Sequence, residues 1–251
     1  MKATLLSIMI VASLVIPVIS APPKALPAEE TLPRYVCQWT DSAIVVDGIL
    51  DDPAWKSAPI VTFRDATDGS PANKRTEARI LYNDKMIFFA YHCIDDKITS
   101  VMTNRDDEIF NEEVVEVFIS PTGDLRYYYE FEVNPLGTLL DLTVKNDFSS
   151  EKGSVGMSGD FSWDAKGIQW AAKQEKTGDQ VTGWSVEIAI PFADLERSTP
   201  KPGEVWRMNL YRIDRDPDEY TAWSPTMQKP AAFHHPQYFG FLEFSAKATV
   251  K

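Results

Sequence analysis

Residues Glu112 to Asp141 (EEVVEVFISPTGDLRYYYEFEVNPLGTLLD) restrict the fold of this chain more than any other stretch. They hold two runs of alternating apolar residues, Val114–Ser120 and Tyr127–Asn134, each closed by a proline, Pro121 and Pro135. Thr122-Gly123-Asp124 lies between them, a turn composition that supplies positive φ and local side-chain hydrogen bonds. Two such runs with a short link predict a β-hairpin. The period of two then assigns faces. Val115, Val117 and Ile119 share a face in the first run, and Tyr127, Tyr129, Phe131 and Val133 in the second. If those greasy faces meet one core, Glu116, Glu130 and Glu132 emerge together on the other side. Exposed glutamate is the norm, so the default expectation is solvated carboxylates on an open sheet face. The alternative is an acidic, hydrogen-bonding site beside aromatic rings.

Ahead of this hairpin, residues 1–20 read as a secretory signal peptide: Lys2, the apolar run Ala3–Ile19, and Val18-Ile19-Ser20 at the cleavage site. A secreted or periplasmic product follows, without membrane insertion after cleavage, because the run is marginal in length for a span and Pro17 breaks it. Residues 21–36 are proline-rich and read as a spacer. One domain is expected over 37–246, with a tail at 247–251. The 37 acidic residues outnumber the 25 basic ones, for a net charge of −12. No basic stripe offsets this, which excludes nucleic acid as a partner and argues against docking to anionic membranes. A monomer is expected.

Cys37 and Cys93 are the two cysteines. In an oxidising compartment they have one intramolecular pairing, a disulfide; two buried free thiols are the other outcome. Asp47, Asp51 and Asp52 flank Gly48 in a turn leading to Trp55. Such oxygen-rich turns can hold calcium, although the spacing is not that of an EF-hand, and plain turn and cap carboxylates fit equally. Strands are expected at 44–46, 75–82, 86–94, 139–144, 168–174, 181–190, 205–214, 220–224 and 238–244, with one short helix at 192–197. Many short strands with turn signals between them predict an all-β, antiparallel β-sandwich of immunoglobulin-like or jelly-roll-like form, with one or two helical turns.

Four motifs, in order, carry a family resemblance: VDGILDDPAW, EVVEVFISP with YYYEFEVNP, GWSVEIAIPFADL, and WSP followed by HHPQYFGFLEF. Together they resemble the family 9 carbohydrate-binding modules, over roughly residues 38–245. The resemblance implies a β-sandwich with bound calcium that grips a sugar, at the end of a chain, between two tryptophan rings. Carried over by motif, the rings fall on Phe110 and Phe233 and the sugar-contacting glutamate on Glu116. A family arginine falls on Glu132, and a family asparagine on Pro230. Both rings are therefore phenylalanine here, and a donor has become an acceptor. Arg105, Arg126 and His234 are candidate replacement donors. The expected partner is a mono- or oligosaccharide, bound without catalysis in carbohydrate catabolism.

Other functions fit parts of the sequence. A glycoside hydrolase would use Glu116 and Glu132 as its two carboxylates. A b-type haem domain would draw axial ligands from Met102, His92 and His234. An envelope-associated sandwich that has lost sugar binding would keep the scaffold alone.

Overall fold

The computed structural model describes residues 26–149 and 153–247. The signal-peptide reading at 1–20, the first part of the spacer and most of the tail lie outside the described residues. Fourteen strands follow in chain order. They begin with β1 (Arg34–Trp39), β2 (Val61–Thr62), β3 (Arg64–Asp65), β4 (Thr76–Tyr82) and β5 (Met86–Ile94). The central run is β6 (Val114–Ser120), β7 (Tyr127–Val133), β8 (Leu139–Asn146) and β9 (Met157–Asp160). The last are β10 (Gln169–Thr177), β11 (Gln180–Pro191), β12 (Val205–Arg215), β13 (Asp218–Ala222) and β14 (Gly240–Phe244).

One hydrogen-bonded path runs β10-β11-β5-β4-β1-β14-β12-β6-β7-β8-β9. It doubles back at β1, so that its two halves face each other as a sandwich. The main core shows this: Tyr82, Phe89, Tyr91, Trp184 and Ile188 from one half pack with Val117, Phe131, Trp206 and Met208 from the other. The alternating faces read from the sequence are the ones buried here. Val115, Val117 and Ile119, for example, lie fully buried in this core.

Several details differ from expectation. The sandwich is mixed rather than wholly antiparallel. Arg34–Cys37 of β1 run parallel to Phe241–Phe244 of β14, and Gln38–Trp39 run parallel to Leu81–Tyr82 of β4. Alternation reports which face is apolar and says nothing about a partner's direction, so this joint left no trace in the pattern. β1 also starts inside the segment read as spacer, after a 3-10 turn at Glu29–Thr31. Ile44–Val46 forms no strand; the Val45 amide donates to Asp52 instead. Residues 192–197 make turns, not a helix, and β9 falls where no strand was expected.

The cysteines are two separate buried thiols, which corrects the disulfide expectation. Cys37 sits level with the β14 end of β1, whereas Cys93 pairs with Thr76 at the far end of β4. β4 stands between them. At about 3.3 Å per residue and 4.8 Å per strand, they lie well beyond the ~4.4–6.8 Å that a bridge spans. Burial pushes both thiols upward in pKa, Cys93 to about 12. Folded protein is therefore expected to react with a thiol reagent only on unfolding, releasing two equivalents, and its melting temperature should not change with reductant. A reductant-dependent melting temperature would restore the bridge.

The turn around Gly48 is built inward. The amides of Asp47 and Gly48 donate to Glu187, which also accepts from the Trp55 indole. Gly48 has φ +82°, and a Cβ there would lie 2.9 Å from the Ala172 carbonyl carbon, so only glycine fits. Asp47 closes its own turn by accepting from the Ile49 amide.

Candidate functional site

The outer face of β6, β7, β8 and β12 is covered, not open. Residues 101–112 and 225–239 cross it and bury a second apolar cluster that includes Val114, Phe118, Tyr128, Tyr211 and Phe233. Each crossing segment is tied down by side chains from the sheet or its connections. Asn134 and Thr138 donate to the Met102 carbonyl, and within the segment Glu112 accepts from the Val101 and Met102 amides. Tyr211 Oη donates to the Phe233 carbonyl at 3.0 Å, and Asn146 to that of His234 at 3.1 Å. Between the two crossings a cavity of about 320 Å³ remains open to solvent.

Its floor is acidic. Glu116 on β6 lies directly opposite Glu132 on β7, and Glu130 is the next residue on the same face. Carboxylate oxygens of all three lie within 4.8 Å of one another. The residues are 2%, 4% and 1% exposed for Glu116, Glu130 and Glu132, which overturns the expectation of solvated carboxylates. Burial is the main reason that all three are pushed up from the ordinary range. Glu132 adds to the rise at Glu116, and Glu130 and Glu132 hydrogen-bond to each other. Two carboxyls in such contact hold a proton between them, because like charges cannot both ionise cheaply out of water. Oε2 of Glu130 and Oε2 of Glu132 are buried without a partner.

The walls are aromatic. Phe110 comes from the 3-10 turn Ile109–Asn111 on one crossing segment, and Phe233 from the other. Phe233 is seated by Tyr211, whose ring stacks on it at 4.1 Å and 10°. Tyr220 meets it edge-on at 5.9 Å. His234 also lines the cavity; its Nδ1 lies 2.8 Å from Tyr128 Oη and 3.9 Å from Glu130 Oε2. Burial holds His234 down at about 4, so it is neutral at pH 7 and supplies no counter-charge to the floor. At the rim stand Met157 and the half-exposed Phe161, both on or beside β9.

Five residues singled out in the sequence, Phe110, Glu116, Glu132, Phe233 and His234, thus line one cavity. Arg105 does not. Its guanidinium is enclosed by Asp106, Asp141 and Asp164 and lies over the Trp170 ring. Arg126 pairs with Asp124 in an exposed turn. The guanidinium in the cavity belongs to Arg215, at the end of β12. Its Nη atoms donate to Tyr220 Oη at 2.6 Å and to the Phe110 carbonyl at 2.8 Å. Period two carried this signal, since Arg215 shares a face with Tyr211, and Tyr211 sits opposite Glu116. Glu130, expected on the same face as Glu116 and Glu132, joins them, whereas Tyr220 and Phe161 were missed as lining residues.

Asp47 and Asp51 do not converge with a third carboxylate among the described residues. The turn aims its amides at Glu187, and the acidic group around Asp141 already encloses a guanidinium. Neither fits the six to eight free oxygens that calcium takes. His92 lies in the opposite layer and pairs with Glu175, so it does not meet His234.

No curated protein matches the chain. Solved structures resemble its fold, among them the following three. A candidate carbohydrate-binding protein from Bacteroides uniformis ATCC 8492 aligns with TM-score 0.66 and 18% identity, over 86% of this chain and 100% of its own. A family 9 carbohydrate-binding module from Caldicellulosiruptor kristjanssonii, in complex with cellotriose, aligns with TM-score 0.59 and 13% identity, over 86% and 95%. The same kind of module from that organism, in complex with glucose, gives 0.58 and 13%, over 87% and 99%. At these identities the likeness is one of fold. The sequence itself matches carbohydrate-binding family 9 over residues 55–244, most of the described chain, and the protein therefore belongs to that family.

Proposed function

We propose that this protein is a secreted, non-catalytic saccharide receptor that seats a sugar ring in the cavity between Phe110 and Phe233. One observation carries the reading: two rings from distant segments and three buried carboxylates line a single opening of about 320 Å³. That is the lower end of the ~300–1,000 Å³ typical of ligand pockets, so it suits one or two sugar rings at a chain end. The C–H face of a pyranose packs on an aromatic ring, and its hydroxyls need polar partners once out of water. Carboxylates accept from those hydroxyls, and protonated carboxyls also donate. The cellotriose and glucose complexes of the similar modules support this choice of ligand. Glu116 and Glu132 lie side by side on the floor. A hydrolase needs its two carboxyls flanking the scissile bond, so their placement supports binding rather than cleavage.

Titration calorimetry with glucose, xylose, cellobiose and cellotriose tests the proposal. Phe110→Ala is expected to weaken the best ligand roughly tenfold, the size of one lost aromatic contact. Phe110 is only half-buried, so the fold should survive the change. Absence of heat with every sugar would leave a shared scaffold and no receptor.

A further inference from the structure

A neutral sugar leaves much of this cavity's chemistry idle. The floor has three carboxylates and two buried, unpartnered oxygens, Glu130 Oε2 and Glu132 Oε2. The charged and titratable groups facing it are few. Arg215 comes from β12 and Tyr220 from β13, and His234, which is neutral, comes from the last crossing segment. Tyr211 and Tyr128 lie on the same face beside Glu116 and Glu130, and Tyr91 approaches from behind, donating to the Glu116 carbonyl. Arg215 has both Nη atoms committed to Tyr220 and Phe110. Its Nε is buried without a partner and its charge acts on Glu116, so one guanidinium at the wall faces three carboxyls, and the floor is short of donors and of positive charge.

Resting on the saccharide reading above, we infer that the preferred ligand is an amino sugar, its ammonium over Glu116, Glu130 and Glu132 and its ring against Phe110 and Phe233. An ammonium brings three N–H donors to a floor that has only acceptors to spare. Phe110, Phe233 and Tyr220 add the faces and edges of an aromatic enclosure, which attracts an organic cation. A bare metal ion would use the floor but not the apolar walls, and the cavity is far larger than an ion. The proton balance follows from the floor. A carboxyl that is protonated before binding ionises against the ammonium, and its proton leaves to solvent.

The probes are three dimers of one linkage that differ only at C2: β-1,4-linked glucosamine, its N-acetylated counterpart, and cellobiose. Calorimetry on the intact protein, in mildly acidic buffers of different ionisation enthalpy, reads affinity and proton release together. The glucosamine dimer should bind on the order of tenfold more tightly than cellobiose, with a heat that varies with the buffer. Glu130→Gln should shrink that ratio. Cellobiose binding as well as or better than the glucosamine dimer would overturn the inference while leaving the receptor in place. Binding of none of the three would remove the receptor reading itself. A calcium heat abolished by Glu130→Gln would overturn the inference by giving the floor to a divalent cation.

Discussion

Arg212→Leu is expected to lower the free energy of unfolding by about 3–5 kcal/mol. Arg212 is on β12 in one layer, and its side chain is 2% exposed. Its Nη2 donates to Asp95 at 2.7 Å and to Asp214 at 2.8 Å, and its Nη1 to the Ile94 carbonyl at 3.0 Å. Asp95 follows β5 in the other layer, so the guanidinium fastens the two halves of the sandwich together. Lys74 reaches the same two carboxylates but sits at their solvent side. Removing Arg212 leaves two aspartates buried beside Glu113, which burial and Asp95 already push up to about 7. The loss comes from uncompensated charge rather than from lost packing, and that distinction is measurable. Adding Asp95→Asn and Asp214→Asn to Arg212→Leu should recover part of the stability in denaturant titrations. A triple variant less stable than Arg212→Leu alone would show that packing dominates.

The second large effect is a gain. Glu130→Gln should stabilise the protein at neutral and alkaline pH and leave it unchanged near pH 4. The Glu130 carboxyl, with its partner Glu132, is pushed above the ordinary value of 4.5 by burial. Below that value it is protonated in both folded and unfolded chains. Above it, the unfolded chain releases the proton while the folded one keeps it. Each pH unit then favours unfolding by about 1.4 kcal/mol, until the raised folded value is passed. Glutamine does not titrate, so the variant escapes this term, on the order of 3 kcal/mol by pH 7. Paired melting curves at several pH values read the divergence; parallel curves would mean that Glu130 titrates normally. A floor that costs stability is what a ligand-binding surface looks like when retained for binding.

The inward faces of the strands were legible because one rule governs them. Ile87, Phe89, Tyr91 and Cys93 alternate on β5, as Trp184, Val186, Ile188 and Ile190 do on β11, and all eight enter the main core. The outer face was not legible in the same way. Glu116, Glu130 and Glu132 look like exposed residues until segments 101–112 and 225–239 are laid across them, and irregular segments have no period that announces where they dock. Phe110 and Phe233 were placed through motif resemblance rather than physics. Arg105 falls outside the cavity and Arg215 inside it for a related reason: cross-strand register, which sets Tyr211 opposite Glu116 and Arg215 on the same face, decides which guanidinium reaches the site. Cys37 and Cys93 were expected to meet because composition allowed it, whereas β4 separates them.

The double membership of β1 also governs how such a chain can assemble. Its main-chain partners are Leu81 and Tyr82 on one side and residues 241–244 on the other, so the first strand made must wait for the last. No shorter, growing chain can complete that seam. Closure is a late event spanning some two hundred residues, and contacts of such separation put folding in the slow regime. Until it happens the core rows of both layers stay open along one margin, the interval in which the polypeptide is most exposed to self-association.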